Sequence, residues 1–471
     1  MGKYDYNVVI VGGGTGGLIS AYVANTLGGK VALIEEDDMG GDCLHRGCVP
    51  SKSLIASAHV AAAARNSSDY GVDTDNIRVN YNKIHQRIHS VIASIQPQDS
   101  AERYRELGVD VIKGRAEWVS GNSLRVGNRT LSTRRIIIAT GARPRLPEID
   151  GAGQPHVYTS DTIWQLEELP ETMVVIGGGP IGCELAQAYA QLGVKVRLVE
   201  SGGQILNFIS PEQASIVAGS LRSSGVKIML NTRVETIGES NVEVVQDGVS
   251  LTLPTHAALI AIGRDPNTQW LNESPIKLNQ RGEVLVDDSM RTNIKSVYAC
   301  GDVTGGFQFT HVAEYEAGYA ASNAIIDWQP WRRKASYDAV PWTIFTTPEV
   351  AHVGLHFDEV DSNKHSLTHV ELGEVDRART DGDDTTGGIW VATANDGQIL
   401  NATVIAPTAG SLIGEWTLAI NNNLKLSDVF DAIHVYPTYA KLHDRVSGQW
   451  RRDQVKSWQQ RLLSWLAKQL R

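Results

Sequence analysis

Val8-Val9-Ile10-Val11-Gly12-Gly13-Gly14-Thr15-Gly16-Gly17 runs an apolar strand straight into a glycine-rich turn. Gly12, Gly14 and Gly17 form a GxGxxG pattern. The first glycine permits the tight turn, the second lets the backbone approach a pyrophosphate, and the third lets helix and strand pack closely. The helix that follows offers free N–H groups and positive dipole character to phosphates. A second strand, Val31–Ile34, then ends in Glu35, placed to accept hydrogen bonds from a ribose diol.

The same pattern recurs downstream. Met173–Ile176 leads into Gly177, Gly179 and Gly182, and Val194–Val199 ends in Glu200. Two glycine-rich turns that serve only packing are the weaker reading, because both copies lie between strand and helix with an acid in place. Two other strand ends are small: Ile136–Ile138 leads into Ala139-Thr140-Gly141, and Ala258–Ala261 into Ile262-Gly263-Arg264. Thr140, Gly141 and Gly263 suit close passage of the chain beside a dinucleotide, although alone they would equally fit a simple strand exit. In Tyr298-Ala299-Cys300-Gly301-Asp302-Val303, the aspartate after Gly301 at a strand end can bind a sugar-alcohol hydroxyl. The fold class expected is α/β, with two Rossmann-like dinucleotide-binding domains. The residues from about Val340 lack a glycine fingerprint, mix strands with helices, and read as a separate α+β domain.

The 471-residue length fits about three domains. A net charge of −10 argues against a general nucleic-acid role, which needs a basic footprint. Four cysteines are too few for a secreted disulfide scaffold of this size. No signal peptide is evident, and no apolar run reaches the ~18 residues that span a bilayer. The cytoplasm is the expected location.

Gly40-Gly41-Asp42-Cys43-Leu44-His45-Arg46-Gly47-Cys48-Val49-Pro50-Ser51-Lys52 carries the chemistry. Cys43 and Cys48 stand five apart, before a proline and an Ala-rich helical stretch to about Arg65. Cys48 is therefore expected near a helix N-terminus, where the dipole favours the reactive thiolate. Lys52 sits one turn later on the same face and adds positive charge. A structural zinc site would need a second cysteine pair, and buried free thiols would not explain the flanking glycines and the proline. The pair reads as redox-active, and no residue is assigned to a metal. Cys183 and Cys300 read as small buried residues.

In this order the motifs resemble the FAD-dependent pyridine nucleotide–disulfide oxidoreductases, the family of dihydrolipoyl dehydrogenase, glutathione reductase and mercuric reductase. The resemblance covers essentially the whole chain, and the Gly-Gly-Asp-Cys…Gly-Cys-Val-Pro-Ser-Lys run is its most specific part. It implies FAD on residues 1–150 and 271–340, NAD(P)H on an inserted 151–270 domain, and a C-terminal 341–471 domain that forms a two-fold homodimer. Thr347-Pro348-Glu349-Val350-Ala351 looks like the opening motif of that last domain. Gly12, Gly14, Gly17, Gly41, Thr140, Gly141, Gly263, Gly301 and Asp302 are candidate cofactor-binding residues. Carried over residue by residue, Glu35 would hold the adenosine ribose of FAD and Asp302 its ribityl chain. Gly177, Gly179, Gly182 and Glu200 would hold the nicotinamide nucleotide. Lys52 would pair with Glu184 beside the flavin. Hydride would pass from nicotinamide to flavin and on to a Cys43–Cys48 disulfide, with Cys48 as the charge-transfer thiolate and Cys43 as the interchange thiol. Glu200 suits the free 2′-hydroxyl of NADH and repels a 2′-phosphate, and no arginine lies between Ser201 and Leu221, so NADH is preferred over NADPH.

The C-terminal motif departs from the family. Its disulfide reductases carry His-Pro-Thr-x-x-Glu, where the histidine is the acid–base for thiol exchange and the glutamate orients it. Here His434-Val435-Tyr436-Pro437-Thr438-Tyr439-Ala440-Lys441 puts Tyr436 at the histidine and Lys441 at the glutamate. Tyr436 at that place is similar to mercuric reductase, yet this chain has no cysteine after Cys300. The nearest overall likeness is to the mercuric reductase-like group. His434, two residues upstream, is a candidate base or else a core or interface histidine. Tyr436 either lines the substrate entrance or packs at the dimer contact.

In the tail, Val455, Trp458, Leu462, Trp465 and Leu466 form an apolar stripe at helical spacing, with Arg452, Lys456, Arg461 and Lys468 off it. A helix docked on the partner subunit or on this chain's own core is the favoured reading, and peripheral contact with a membrane surface is the second. Three functions follow. The first is an NADH-dependent flavoprotein that reduces a small-molecule or protein disulfide or another thiol-reactive substrate. The second is a metal-ion (mercuric) reductase-like enzyme. The third is a slow-turnover redox sensor or adaptor.

Overall fold

In the computed structural model, residues 4–326, 329–361, 363–383, 386–455 and 457–470 are described. They fall into two compact units. The first comprises the chain up to Gly203 together with Ser224–Ser336; the second comprises Gln204–Ser223 and the chain from Tyr337 onward.

The first unit holds two large sheets; one is parallel at its centre, with Ala116–Ser120 and Ser123–Val126 added antiparallel at one edge, and the other is all parallel. In one, Tyr6–Val11 lies between Val31–Glu35 and Arg129–Ile138, with Asp110–Lys113 beyond Val31–Glu35. Val297–Ala299 pairs with the end of Arg129–Ile138, so the chain returns to this sheet after the second one. Val8 and Ile10 enter one apolar cluster, while Val9 and Val11 enter another on the opposite face. Successive strand side chains point to opposite faces, so a strand with apolar residues at both parities is covered on both sides. The first cluster is closed by helix Thr15–Thr26 packing on helix Thr310–Ile326. Ala317, Ala320, Ala321 and Ala324 are buried there, and their small size lets the two helices approach closely.

In the other sheet the order is Lys227–Met229, Lys195–Val199, Thr172–Ile176, Ala257–Ile260, Val157–Thr159, all parallel. A three-stranded antiparallel sheet, Thr232–Ile237, Asn241–Gln246 and Val249–Pro254, adjoins it. Alternating valines bury one face of this layer, with Val242 and Val244 inside. Both sequence-read strand–GxGxxG–helix–strand–Glu units form, the first as Tyr6–Val11, Thr15–Thr26 and Val31–Glu35, the second as Thr172–Ile176, Pro180–Gln191 and Lys195–Val199.

The second unit carries a five-stranded antiparallel sheet in the order Trp342–Ile344, Glu349–Gly354, Ile399–Ala406, Gly388–Ala394, His365–Glu371. Helices Ala409–Asn421 and Lys441–Gln454 help close its core around the fully buried Trp416. This is the α+β arrangement read from the sequence. A final helix, Ser457–Gln469, leaves Leu462, Trp465 and Leu466 exposed by 46%, 56% and 41%, so these three are not docked on this chain's own core. Lys456 and the side chains of Trp458 and Arg461 lie outside the described residues. Among the described residues no helix is long and apolar enough to cross a membrane.

Candidate active site

The two nucleotide cradles are built alike. Gly12 has φ +107°, and a Cβ there would meet the Ala139 carbonyl oxygen at 2.3 Å; one on Gly17 would lie 1.7 Å from the Gly12 oxygen. Gly177 and Gly182 repeat this crowding against Ala261 and against Gly177 itself. These four glycines are demanded by the protein's own packing. The middle glycines are not. A Cβ on Gly14 would find only the Gly41 Cα at 3.7 Å, and one on Gly179 would find nothing within 4 Å. Open space beside a helix N-terminus, in front of uncapped N–H groups, is what an approaching pyrophosphate needs.

The two acids are held the same way. Glu35 accepts from the N–H of Gly13 and from that of Asp37, the latter at 2.5 Å. Glu200 accepts from Gly178 N–H and Gly202 N–H, each at 2.7 Å. Each carboxylate is pinned by the turn it faces. The sequence-read strand exits also meet: Ala142–Pro144 pairs antiparallel with Arg264–Pro266, Thr140 Oγ1 donates to the Asn267 carbonyl at 2.8 Å, and Asn267 Nδ2 donates back to the Thr140 carbonyl at 2.9 Å. Gly141 and Gly263 both take positive φ, +64° and +118°. These residues fit a bound FAD and a bound nicotinamide nucleotide.

Cys48 is the first residue of the 18-residue helix Cys48–Arg65, capped by Gly47. Trp164 Nε1 donates to the Arg46 carbonyl at 2.6 Å and tacks down the loop between the cysteines. Cys48 is exposed and Cys43 half-buried. Hydrogen bonding to Cys43 lowers the Cys48 thiol to about 6, and Thr310 and Lys52 act in the same direction. The same contact, with burial and the nearby Cys48 charge, pushes Cys43 up. The pair is polarised: a thiolate on Cys48 and a proton on Cys43. Thr310 Oγ1 lies 3.5 Å from Cys48 Sγ and is the first residue of helix Thr310–Ile326, so a second helix N-terminus faces the thiolate. Lys52 Nζ pairs with Glu184 Oε2 at 2.8 Å. Cys183 and Cys300 are fully buried, as expected.

Asp42 lies beside this pair with Arg264, whose Nη2 is 3.3 Å from the Asp42 carboxylate and whose Nη1 is 3.7 Å from Asp161. Asp302 follows Gly301 at the end of Val297–Ala299. Burial raises its carboxyl to about 6, opposed by Arg264 and reinforced by Asp42 and Cys48. Thr310, Arg264 and Asp161 were missed from sequence, because none lies in a recognisable spacing relative to Cys43 or Cys48.

In the second unit, Tyr436 is 66% exposed and donates to Asp376 Oδ2 at 3.1 Å. The His434 side chain is 7% exposed, with both ring nitrogens engaged: Nδ1 with Asp444, and Nε2 with Glu415 Oε1 at 2.9 Å. Glu415 Oε2 also meets His443 Nδ1 at 2.7 Å. Burial raises the Glu415 carboxyl, but the two histidines outweigh it and bring it to about 2. Lys441 pairs with Asp444. Glu415, His443 and Asp444 carry no sequence motif and were not anticipated.

Two nucleotide cradles and a polarised thiol pair define a dinucleotide-dependent dithiol oxidoreductase. Residues 6–317 match the pyridine nucleotide-disulphide oxidoreductase family model, and residues 340–445 match the dimerisation domain of the same family. The chain belongs to that family. It is 34% identical to a dihydrolipoyl dehydrogenase of Chlamydia trachomatis over 93% of this chain and 95% of the relative. It is 32% identical to a mercuric reductase of Bacillus cereus over 93% of this chain and 70% of the relative. Among solved structures it resembles the HOCl-induced flavoprotein disulfide reductase RclA of Escherichia coli, in its Cu(II) complex, with TM-score 0.83, 29% identity, and coverage of 95% of this chain and 99% of that one. The family uses FAD and a pyridine nucleotide, and the dimerisation domain indicates a homodimer.

Proposed function

We propose that this chain is an NADH-dependent disulfide reductase in which Cys43 and Cys48 are the working pair, with FAD on 1–150 and 271–340, NADH on 151–270 and a dimer-forming 341–471. The observation that carries this reading is the polarisation of the two thiols at the N-terminus of Cys48–Arg65. Bound FAD would supply the two-electron relay between NADH and the cysteines. Gly12, Gly14, Gly17, Glu35, Gly41, Thr140, Gly141, Gly263, Gly301 and Asp302 would hold it, and Gly177, Gly179, Gly182 and Glu200 would hold NADH.

The chain's own steps follow from the thiol chemistry. Cys43 attacks a substrate disulfide, forming a mixed disulfide; one thiolate is expelled and takes up the proton that Cys43 loses. The Cys48 thiolate then attacks the Cys43 sulfur, expels the second thiolate and leaves the oxidised pair. Lys52, with Glu184 behind it, keeps positive charge beside Cys48 and favours the thiolate. We assign proton handling for the leaving thiolates to Tyr436 rather than His434, because the phenol is exposed while both nitrogens of His434 are taken by carboxylates. A dithiol in exchange with NADH suits a reducing compartment such as the cytoplasm.

Metal-ion reduction is the second reading, favoured by the tyrosine in place of the family's histidine and by the mercuric reductase relatives. The deciding experiment is NADH oxidation by the FAD-loaded protein with small disulfides and, separately, with Hg²⁺. Turnover with disulfides that falls by about 10² or more in Tyr436→Phe supports the first reading. Turnover with Hg²⁺ alone supports the second.

A further inference from the structure

We propose that Glu415, His434 and His443 form a binding site for a divalent transition cation of the zinc type. The site uses neither cysteine and stands independently of the redox reading. Three separate segments supply it: helix Ala409–Asn421 gives Glu415, the loop before helix Lys441–Gln454 gives His434, and that helix gives His443. One ligand atom from each lies within 4.8 Å of the other two. The imidazole rings are 5.3 Å apart at 86°, so they approach the shared carboxylate from perpendicular planes.

The surroundings are those of a ligand set. Asp444 holds Nδ1 of His434, which aims Nε2 at Glu415; a carboxylate behind a ligating histidine fixes its tautomer and orientation. His443 is buried, and its Nε2 has no hydrogen-bond partner among the described residues. Its ring also packs edge-on against the buried Trp416, 5.2 Å between centroids, and Nδ1 faces Glu415. Two imidazoles and one carboxylate select zinc-like cations over Ca²⁺ and Mg²⁺, which take mainly oxygen ligands. Three protein ligands leave one tetrahedral position open. A bound cation would tie the loop that carries Tyr436 to two helices.

Zn²⁺ titration of untagged, FAD-loaded protein tests this, using the Cys43→Ser/Cys48→Ser background so that the redox thiols do not compete. Calorimetry should show one Zn²⁺ per chain, with a raised thermal unfolding midpoint. His443→Leu, which keeps the buried volume apolar, and Glu415→Gln, which keeps the shape, should each weaken binding by about tenfold or more. Circular dichroism checks that both variants are folded. Absence of binding heat and of any thermal shift in the parent would overturn the proposal. So would undiminished binding in both variants, which would leave the cluster as a hydrogen-bonded Glu–His network.

Discussion

Lys52 Nζ donates to Glu184 Oε2 at 2.8 Å, joining the helix that begins at Cys48 to the helix that follows Gly179. One contact thus links the thiol pair to the second nucleotide cradle. Glu184 is buried while Lys52 is 37% exposed at its side chain. Lys52→Met should cost about 2 kcal/mol, between the ~0–1 of exposed pairs and the 3–5 of fully buried ones. Denaturant unfolding of wild type and variant checks it. The same variant should raise the Cys48 midpoint for alkylation, because a cation beside the thiolate is gone.

The thiol polarisation has a pH signature. With Cys48 lowered from 9.0 to about 6, iodoacetamide should alkylate the reduced protein with a midpoint near 6. The unfolded thiol binds a proton up to higher pH than the folded one does. Stability of the reduced protein should therefore rise between about 6 and about 9, and the gain should vanish as pH falls through 6. Thr310→Val should move the alkylation midpoint upward, by about one unit or less.

The glycines separate packing from ligand binding. Gly17→Ala places a Cβ 1.7 Å from the Gly12 oxygen and should prevent normal folding. Gly179→Ala meets nothing within 4 Å and should change stability by no more than about 1 kcal/mol. Its nicotinamide nucleotide affinity should nevertheless fall. Thermal unfolding and equilibrium binding on the two variants distinguish these effects.

Glu200 should set the nucleotide preference. Its carboxylate is already fixed by Gly178 and Gly202, so an added ribose hydroxyl would find a prepared acceptor. Glu200→Ala should raise KM for NADH by about tenfold, the loss of one hydrogen bond to a charged group, while KM for NADPH falls or holds. Steady-state kinetics with both nucleotides checks it.

Much of the first unit was legible because local physics dictates it. Gly12–Gly17 and Gly177–Gly182 must bend and pack as they do, Pro50 sits in the first turn of the helix that Cys48 begins, Glu35 ends one strand and Glu200 directly follows another. Lys52–Glu184 was legible only through family resemblance, since 132 residues separate the partners. The antiparallel layer Thr232–Pro254 was not anticipated, although Asp247-Gly248, the positive-φ two-residue turn joining Asn241–Gln246 to Val249–Pro254, is a hairpin signal that the sequence carries. The Asp42–Arg264–Asp161 cluster and the Glu415–His434–His443 set were invisible because tertiary folding alone assembles them. His434 was singled out by its nearness to Tyr436, yet the three carboxylate oxygens around it come from two helices that the motif does not mention.

The most direct test of the central claim is an anaerobic NADH titration of the purified FAD-loaded protein, followed by visible absorbance, with Cys48→Ser alongside. The account predicts a long-wavelength charge-transfer band after two electrons per chain, absent in the variant. Direct bleaching of the yellow colour in wild type, with no such band, would contradict it.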